Sequence, residues 1–206
     1  RPNSRSVALG DNKRQDMTIL FADIRNFTAL SERMSPDENF AFINAYLAEM
    51  GPVIAQHGGF IDKYIGDAIM ALFEKADDGV RAGLAMLAIL ERFNATRLAA
   101  GAEPIVIGIG LNTGSLMMGT IGEQHRMDGT VISDAVNLAA RLESLTKDYR
   151  VALLVSQFTV DRLDDPGAYA LRPVDTVVVR GRTQPVAIFE VQARPSSVRQ
   201  RPTDLA

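Results

Sequence analysis

Two carboxylates stand at the margins of apolar runs, where a charge is costly unless it has work to do. In "ILFADIRNFT" Asp23 follows four apolar residues, and in "YIGDAIMALF" Asp67 precedes a six-residue apolar run. A helical crossover between two such strands would bring both acids to one point. Oxygen-only ligation by one or two carboxylates, with the remaining positions left to water and phosphate oxygens, is the usual way of holding Mg2+ in phosphoryl-transfer sites. The plainer alternative makes each a turn or cap residue, Asp23 capping the "NFTALSERM" turn. A second pair, Asn137 and Arg141, falls four apart in the helical stretch "SDAVNLAARLESLTK". Residues at that spacing share a face, so they either address one ligand or form an ordinary exposed pair.

The bulk composition narrows the classes. A chain of 206 residues with 47% hydrophobic and 23% charged content reads as one globular domain with a good core. A net charge of −3 leaves no basic stripe to displace counterions from nucleic acid, so no nucleic-acid partner is expected. Cysteine is absent, which excludes thiolate chemistry and fits a reducing, cytoplasmic compartment. Any metal is then held by oxygen or imidazole. No run approaches the roughly 20 apolar residues of a membrane span. The chain begins with Arg and reads as a fragment whose missing N-terminal part would carry a regulatory or sensor domain.

The elements that must position the acids follow from periodicity. Residues 1–15 and 194–206 are polar and aperiodic and read as flexible tails around a folded domain over 16–193. "MTILFAD" has strand length. Ser35, Pro36 and Glu38 form the start of a helix, a capping box with proline at the first position. Phe40, Ile43, Leu47, Met50 and Ile54 then recur at helical spacing, Pro52 predicts a kink, and Gly58 and Gly59 the stop. "GFIDKYI" and "DAIMALF" form a hairpin with Gly66 near its tip. A second long helix spans 78–99. "PIVIGIGLNTGSLMMGTIG" alternates Ile105, Ile107, Ile109 and Leu111 with small or polar residues, the pattern of a half-buried strand entering a second hairpin. The resulting order, β-α-α-β-β-α-β-β-α-β and then further strands, predicts an α+β fold: a mainly antiparallel sheet with helices packed on it and a ferredoxin-like core.

"FADIRNFTALSE", "HGGFIDKYIGDAIMALF", "GIGLNTGSLMMGTIG" and "DAVNLAARLES" together resemble the class III nucleotidyl cyclase catalytic domain, in order and at family spacing, over about 17–191. The resemblance implies an adenylyl cyclase of the bacterial and soluble type, converting ATP to 3′,5′-cyclic AMP and pyrophosphate. It implies a head-to-tail homodimer with shared active sites. Asp23, the Ile24 carbonyl and Asp67 would hold two divalent cations, Mg2+ or Mn2+. The amides after Asp23, through Phe27 to Thr28, would cradle the triphosphate near a helix N-terminus. Asn137 would orient the ribose and Arg141 would stabilise charge on the transferring phosphate. Arg180 would contact the terminal phosphates, with Arg182 nearby as the alternative.

Lys63 and Thr130 match the positions that select the base in this family. Adenine offers an acceptor at N1 and a donor at its amine; Lys63 only donates, and the Thr130 hydroxyl can accept. Guanine needs an acceptor for its N1–H, which lysine cannot supply. Three residues depart from the family pattern: Asn26 where glycine is usual, Gly129 where an aromatic is usual, and Ser133 where glycine precedes "DAVN". His57 and His125 fall on no site position of the family. The rival readings are a guanylyl cyclase, opposed by Lys63, and a silent partner domain, opposed by the presence of Asp23, Asp67, Asn137 and Arg141. An RNA-binding ferredoxin-like module lacks paired strand aromatics and a basic surface.

Overall fold

The computed structural model describes residues 12–123, 126–178 and 185–194, with side chains described over 14–117, 133–178 and 185–194. In chain order the elements are β1 (Asn12–Ile24), α1 (Phe27–Ser31), α2 (Pro36–Gln56), β2 (Phe60–Ile65), β3 (Ala68–Phe73) and α3 (Ala76–Ala99). There follow β4 (Ile107–Glu123), β5 (Arg126–Ile132), α4 (Asp134–Asp148), β6 (Leu153–Ser156), α5 (Gln157–Val160), β7 (Tyr169–Val177) and β8 (Val186–Ala193). The first strand starts at Asn12, inside the stretch expected to be a tail, because its pairing with β4 continues from Ile24↔Ile107 out to Asn12↔Gly119. The rest of the expected tails, apart from residue 194, lies outside the described residues.

The sheet order is β2-β3-β1-β4-β6-β8-β7, with β5 paired to β4. The β1-β3, β2-β3 and β1-β4 ladders are antiparallel and β4-β6 is parallel. The unit β1-α2-β2-β3-α3-β4 therefore has the ferredoxin-like strand order. Period-two alternation along β1 divides its residues between two cores. Leu20 and Ala22 join Ile69, Ala71, Phe73, Ile107, Ile109 and Leu111 beneath α2 and α3, which contribute Tyr46, Ile54, Val80 and Met86. Met17, Ile19 and Phe21 lie on the other face with Met70, Leu72, Leu116 and Ala139 of α4.

Local chemistry sets the helix starts. Ser35 Oγ accepts from the Glu38 amide at 3.3 Å while the Glu38 carboxylate accepts from the Ser35 amide at 2.8 Å, the expected capping box. The helix runs through Pro52 to Gln56 as one element. Phe40 is not a core residue: it is 72% exposed. Phe42 takes that role and stacks on Phe27 at 6.1 Å. Gly66 turns the β2-β3 hairpin with φ 64°, as its position near the tip predicts.

The largest departure from expectation concerns β4. Its alternating small residues do not face water: residues 107–113 are buried throughout. The face bearing Gly110 and Gly114 carries α4. A Cβ on Gly110 would stand 2.5 Å from the Ala139 carbonyl oxygen and 2.8 Å from Glu143 Cα, and one on Gly114 would stand 2.7 Å from Ala135 Cβ. The helix backbone thus rests almost directly on the strand. Gly110→Ala should lower stability by about 1–3 kcal/mol, since helix backbone must move to admit the methyl. Gly51→Ala, on α2 where beyond its chain neighbours a Cβ meets only Ile61 Cδ1 at 3.8 Å, should change it by less than about 1 kcal/mol, the helix preference of alanine being offset by the proline that follows. Urea unfolding of the two variants checks the difference; equal effects would contradict the close-approach account.

Candidate active site

The adjacency of β1 and β3, in register at Ala22↔Ile69, carries Asp23 to the side of the β2-β3 turn that holds Asp67. One backbone amide ties the two acids. The Ile24 N–H donates to Asp23 Oδ1 at 2.9 Å and to Asp67 Oδ2 at 3.3 Å. The Asp67 carboxyl is pushed up to about 7, first by burial, then by its hydrogen bond with Asp23 and that residue's charge. The turn-or-cap reading of Asp23 is not met: the N-cap of α1 is Asn26, at φ 54° and ψ 30°, and no side chain caps it. Asparagine tolerates this left-handed conformation, so the loop keeps its shape without the usual glycine.

Tyr46 went unnoticed in the sequence because it looks like any core aromatic. It is fully buried on α2, and its hydroxyl has no hydrogen-bond partner among the described residues. Burial, followed by the charges of Asp23 and Asp67, holds its phenol well above the ordinary tyrosine range. A neutral hydroxyl therefore lies close to the paired acids from the α2 side. Among the described residues no group of three or more His, Cys, Asp or Glu side chains gathers.

The amides expected to cradle phosphate are partly committed. The Ile24 amide serves the carboxylates, and the Arg25 amide donates to the Val106 carbonyl at 2.8 Å. Asn26, Phe27 and Thr28 remain, at a helix start whose first N–H groups have no intrahelical partner. The Phe27 ring itself is structural, packed against the core and stacked on Phe42. Thr28 is exposed.

Lys63 lies on the edge strand β2, paired opposite Met70, next to a bulge that leaves Asp62 unpaired in the ladder. Its Nζ is 3.3 Å from Asp62 Oδ2, and the side chain is 39% exposed. Cross-strand partners share a face, so Lys63 points to the α4 side of the sheet with Met70. Asp23, two residues beyond Phe21 on β1, points to that side also. Thr130 sits in β5 opposite Gly119, its side chain outside the described set. Arg180, Arg182 and His125 lie outside the described residues. The His57 ring bonds the Val53 carbonyl at 2.8 Å, an intrahelical role.

Asn137 and Arg141 are both exposed on α4, and Arg141 Nη1 donates to the Val178 carbonyl at 2.5 Å. The helix start is held twice. Ser133 Oγ caps the Ala135 amide at 2.9 Å and donates to the Ser115 carbonyl at 2.6 Å. Buried Asn112 donates to the Ala135 carbonyl at 2.9 Å and accepts from Ser156 Oγ at 2.6 Å. The serine at the family's glycine position thereby joins α4 to β4. Neither anchor was foreseen, because each joins residues far apart in the chain.

The family model described as "Adenylate and Guanylate cyclase catalytic domain" matches residues 10–192. The chain is similar to an adenylate cyclase of Anabaena cylindrica, 45% identical over 195 residues, covering 91% of this chain and 39% of the relative. It is similar to a terminal-differentiation-specific adenylate cyclase of Dictyostelium discoideum at 39% identity, covering 90% of this chain and 9% of that protein. The chain thus spans well under half the length of these relatives. Among solved structures it is similar to the adenylyl cyclase CyaB from P. aeruginosa (TM-score 0.75, 30% identity, 90% of this chain and 98% of that one). It is equally similar in fold to the guanylyl cyclase Cya2 (TM-score 0.78, 32% identity, 91% and 97%). With the fold, the paired acids and these matches in agreement, the chain belongs to the adenylate and guanylate cyclase catalytic domain family.

Proposed function

We propose that this chain is an adenylyl cyclase that forms 3′,5′-cyclic AMP and pyrophosphate from ATP at sites shared between two copies. One observation carries the sharing. The loop after Asp23 reaches α4 near Thr146, through the Arg25 side chain, whereas Asn137 stands at the other end of that helix. At 1.5 Å rise per residue, residues 137 and 146 are about 14 Å apart along the axis. That separation supports a site in which a second copy brings its own α4 to the first copy's acids.

The donor set fits divalent cations. Two facing carboxylates, one of them raised to about 7 by burial and then by the other's hydrogen bond and charge, form a site whose repulsion a cation relieves. Asp23, Asp67 and the Ile24 carbonyl would hold Mg2+ or Mn2+, which when bound supplies acidification of the ribose 3′-hydroxyl and neutralisation of the departing pyrophosphate. The chain's own residues do the rest. Lys63 donates to adenine N1 and the Thr130 hydroxyl accepts from the amine. Asn137 orients the ribose, and the Arg141 guanidinium releases Val178 to meet charge on the α-phosphate as the 3′-oxygen attacks. The amides of Asn26 to Thr28, and Arg180, serve the outer phosphates. No histidine is needed as a base.

Cyclic nucleotide formation from ATP and from GTP, with Mg2+ or Mn2+, over a series of chain concentrations, tests the reading. Cyclic AMP should dominate, and turnover per chain should rise with concentration as copies associate. Lys63→Glu combined with Thr130→Cys should move the preference toward GTP by at least about tenfold, one hydrogen-bonding mismatch being worth over 1 kcal/mol. A wild-type preference for GTP would defeat the base-recognition argument. Absence of any cyclic product from a folded dimer would favour a silent partner domain.

Asp67 yields a second prediction, in the metal-free protein. Its folded pKa, raised to about 7, lies above the unfolded value, so its destabilising ionisation is absent below the ordinary carboxylate range and grows as pH rises toward 7. Asp67→Asn should therefore stabilise the metal-free chain at pH 8, by on the order of 1 kcal/mol because the half-exposed group is partly screened. At pH 4 the gain should vanish. Thermal melts at the two pH values, with and without Mn2+, read the sign; wild type alone should be stabilised by the ion.

A further inference from the structure

Arg25 belongs to no part of the site described so far, yet it joins two of its parts. Its backbone follows Ile24 and is fixed by the amide bond to Val106 at the entry to β4. Its side chain crosses β4 and donates through Nη2 to Thr146 Oγ1, a bond between residues 121 apart in sequence. Thr146 in turn donates to the Glu143 carbonyl, one of the last acceptors of α4. Burial lowers the pKa of the guanidinium, and the charges of Glu143, Asp23 and Asp148 act on it in the opposite direction. A cation at the end of α4 also meets the negative end of the helix dipole.

The strand beneath is shaped for this crossing. A Cβ on Gly108 would overlap both Thr146 Oγ1 and the Arg25 guanidinium, with Arg25 Cζ only 2.8 Å away. Gly108 is thus an opening through which the arginine reaches the helix. Gly110 and Gly114 admit the helix itself. Lysine lacks the planar fork and delocalised charge that let one group face a hydroxyl and several carboxylates together.

We propose that Arg25 is a positioning residue, a clamp that fixes the Asp23–Ile24 loop to the C-terminal turn of α4. This rests on the cyclase reading above. Since α4 serves the site to which its own acids do not belong, the clamp ties the acid half of one site to the ribose-and-phosphate half of the other. Its loss moves Asn137 and Arg141 relative to a reacting phosphate without removing any group that binds ATP. The effect falls on kcat: a displacement of about 1 Å can cost on the order of 100-fold.

The test compares Arg25→Met, Arg25→Lys, Thr146→Val and Gly108→Ala with wild type. Two readouts are taken: kcat and KM for ATP, and amide hydrogen exchange of the metal-free protein over residues 24–28 and 143–148. Arg25→Met should lower kcat at least about tenfold, with KM within about twofold, and should speed exchange in both segments together. Thr146→Val, which removes the acceptor together with the hydroxyl's own bond to the Glu143 carbonyl, should reproduce the exchange change, and Gly108→Ala should do the same by blocking the crossing. Arg25→Lys should recover part of kcat. Wild-type exchange in both segments of Arg25→Met and Thr146→Val would overturn the clamp, as would a loss expressed only in KM. The exchange readout needs no turnover, so a chain without cyclase activity would sink the cyclase reading and still decide the clamp.

Discussion

The packing of α4 backbone against β4 backbone is the constraint on which the rest depends. Gly110 and Gly114 leave no side chain between helix and strand, so α4 has one depth and one register on the sheet. Asn112, between them in the strand, binds the Ala135 carbonyl and sets the position along the axis. Ser133 closes the N-terminal end and Arg25 reaches the C-terminal end. A helix so placed presents Asn137 and Arg141 from a rigid element rather than a loop, as their proposed roles would require. The opposite face is filled by α2 and α3.

The second constraint is electrostatic. Asp23 and Asp67 are brought together by the β1-β3 ladder; the Ile24 amide and the buried Tyr46 hydroxyl are their neutral neighbours, and the charge of the Arg25 guanidinium acts on Asp23. Like charges held close store unfavourable energy that folding elsewhere must offset. The β1-β4 and β1-β3 ladders and two apolar cores meet at β1, which explains how its end can tolerate the pair. Stability and the proposed cation-holding role thus pull Asp67 in opposite directions.

Much of this was legible in the sequence, for reasons that differ by element. The capping box at Ser35 and Glu38, the Gly66 turn and the ferredoxin-like order are local signals, and each appears in the structure. Asp23 and Asp67 were readable because charge beside an apolar run is rare. The alternation in β4 misled, since a small residue facing water and one facing a helix backbone look alike in sequence; only the packed partner tells them apart. Phe40 and Phe42 lie about 200° apart on the helix, so only one can face the core, and the buried face of Tyr46, Met50 and Val53 with the stacking on Phe27 selects Phe42. Arg25 had no local signal because Thr146 is contributed by a distant helix. Neither could periodicity relate Asn137 to the acids, whose separation follows from where α4 lies on the sheet.

The central claim is that acids from one copy and α4 from another make one site. Mixing two variants tests it most directly: Asp67→Asn, which lacks an acid, and Arg141→Ala, which lacks the guanidinium proposed to meet the phosphate. Each alone should form almost no cyclic AMP. A heterodimer of the two contains one site with every group intact, so mixing should restore activity to about a quarter of the wild-type level, half the dimers being mixed with one working site in two. No recovery on mixing, with heterodimer formation demonstrated by exchange of differently tagged chains, would contradict the shared site.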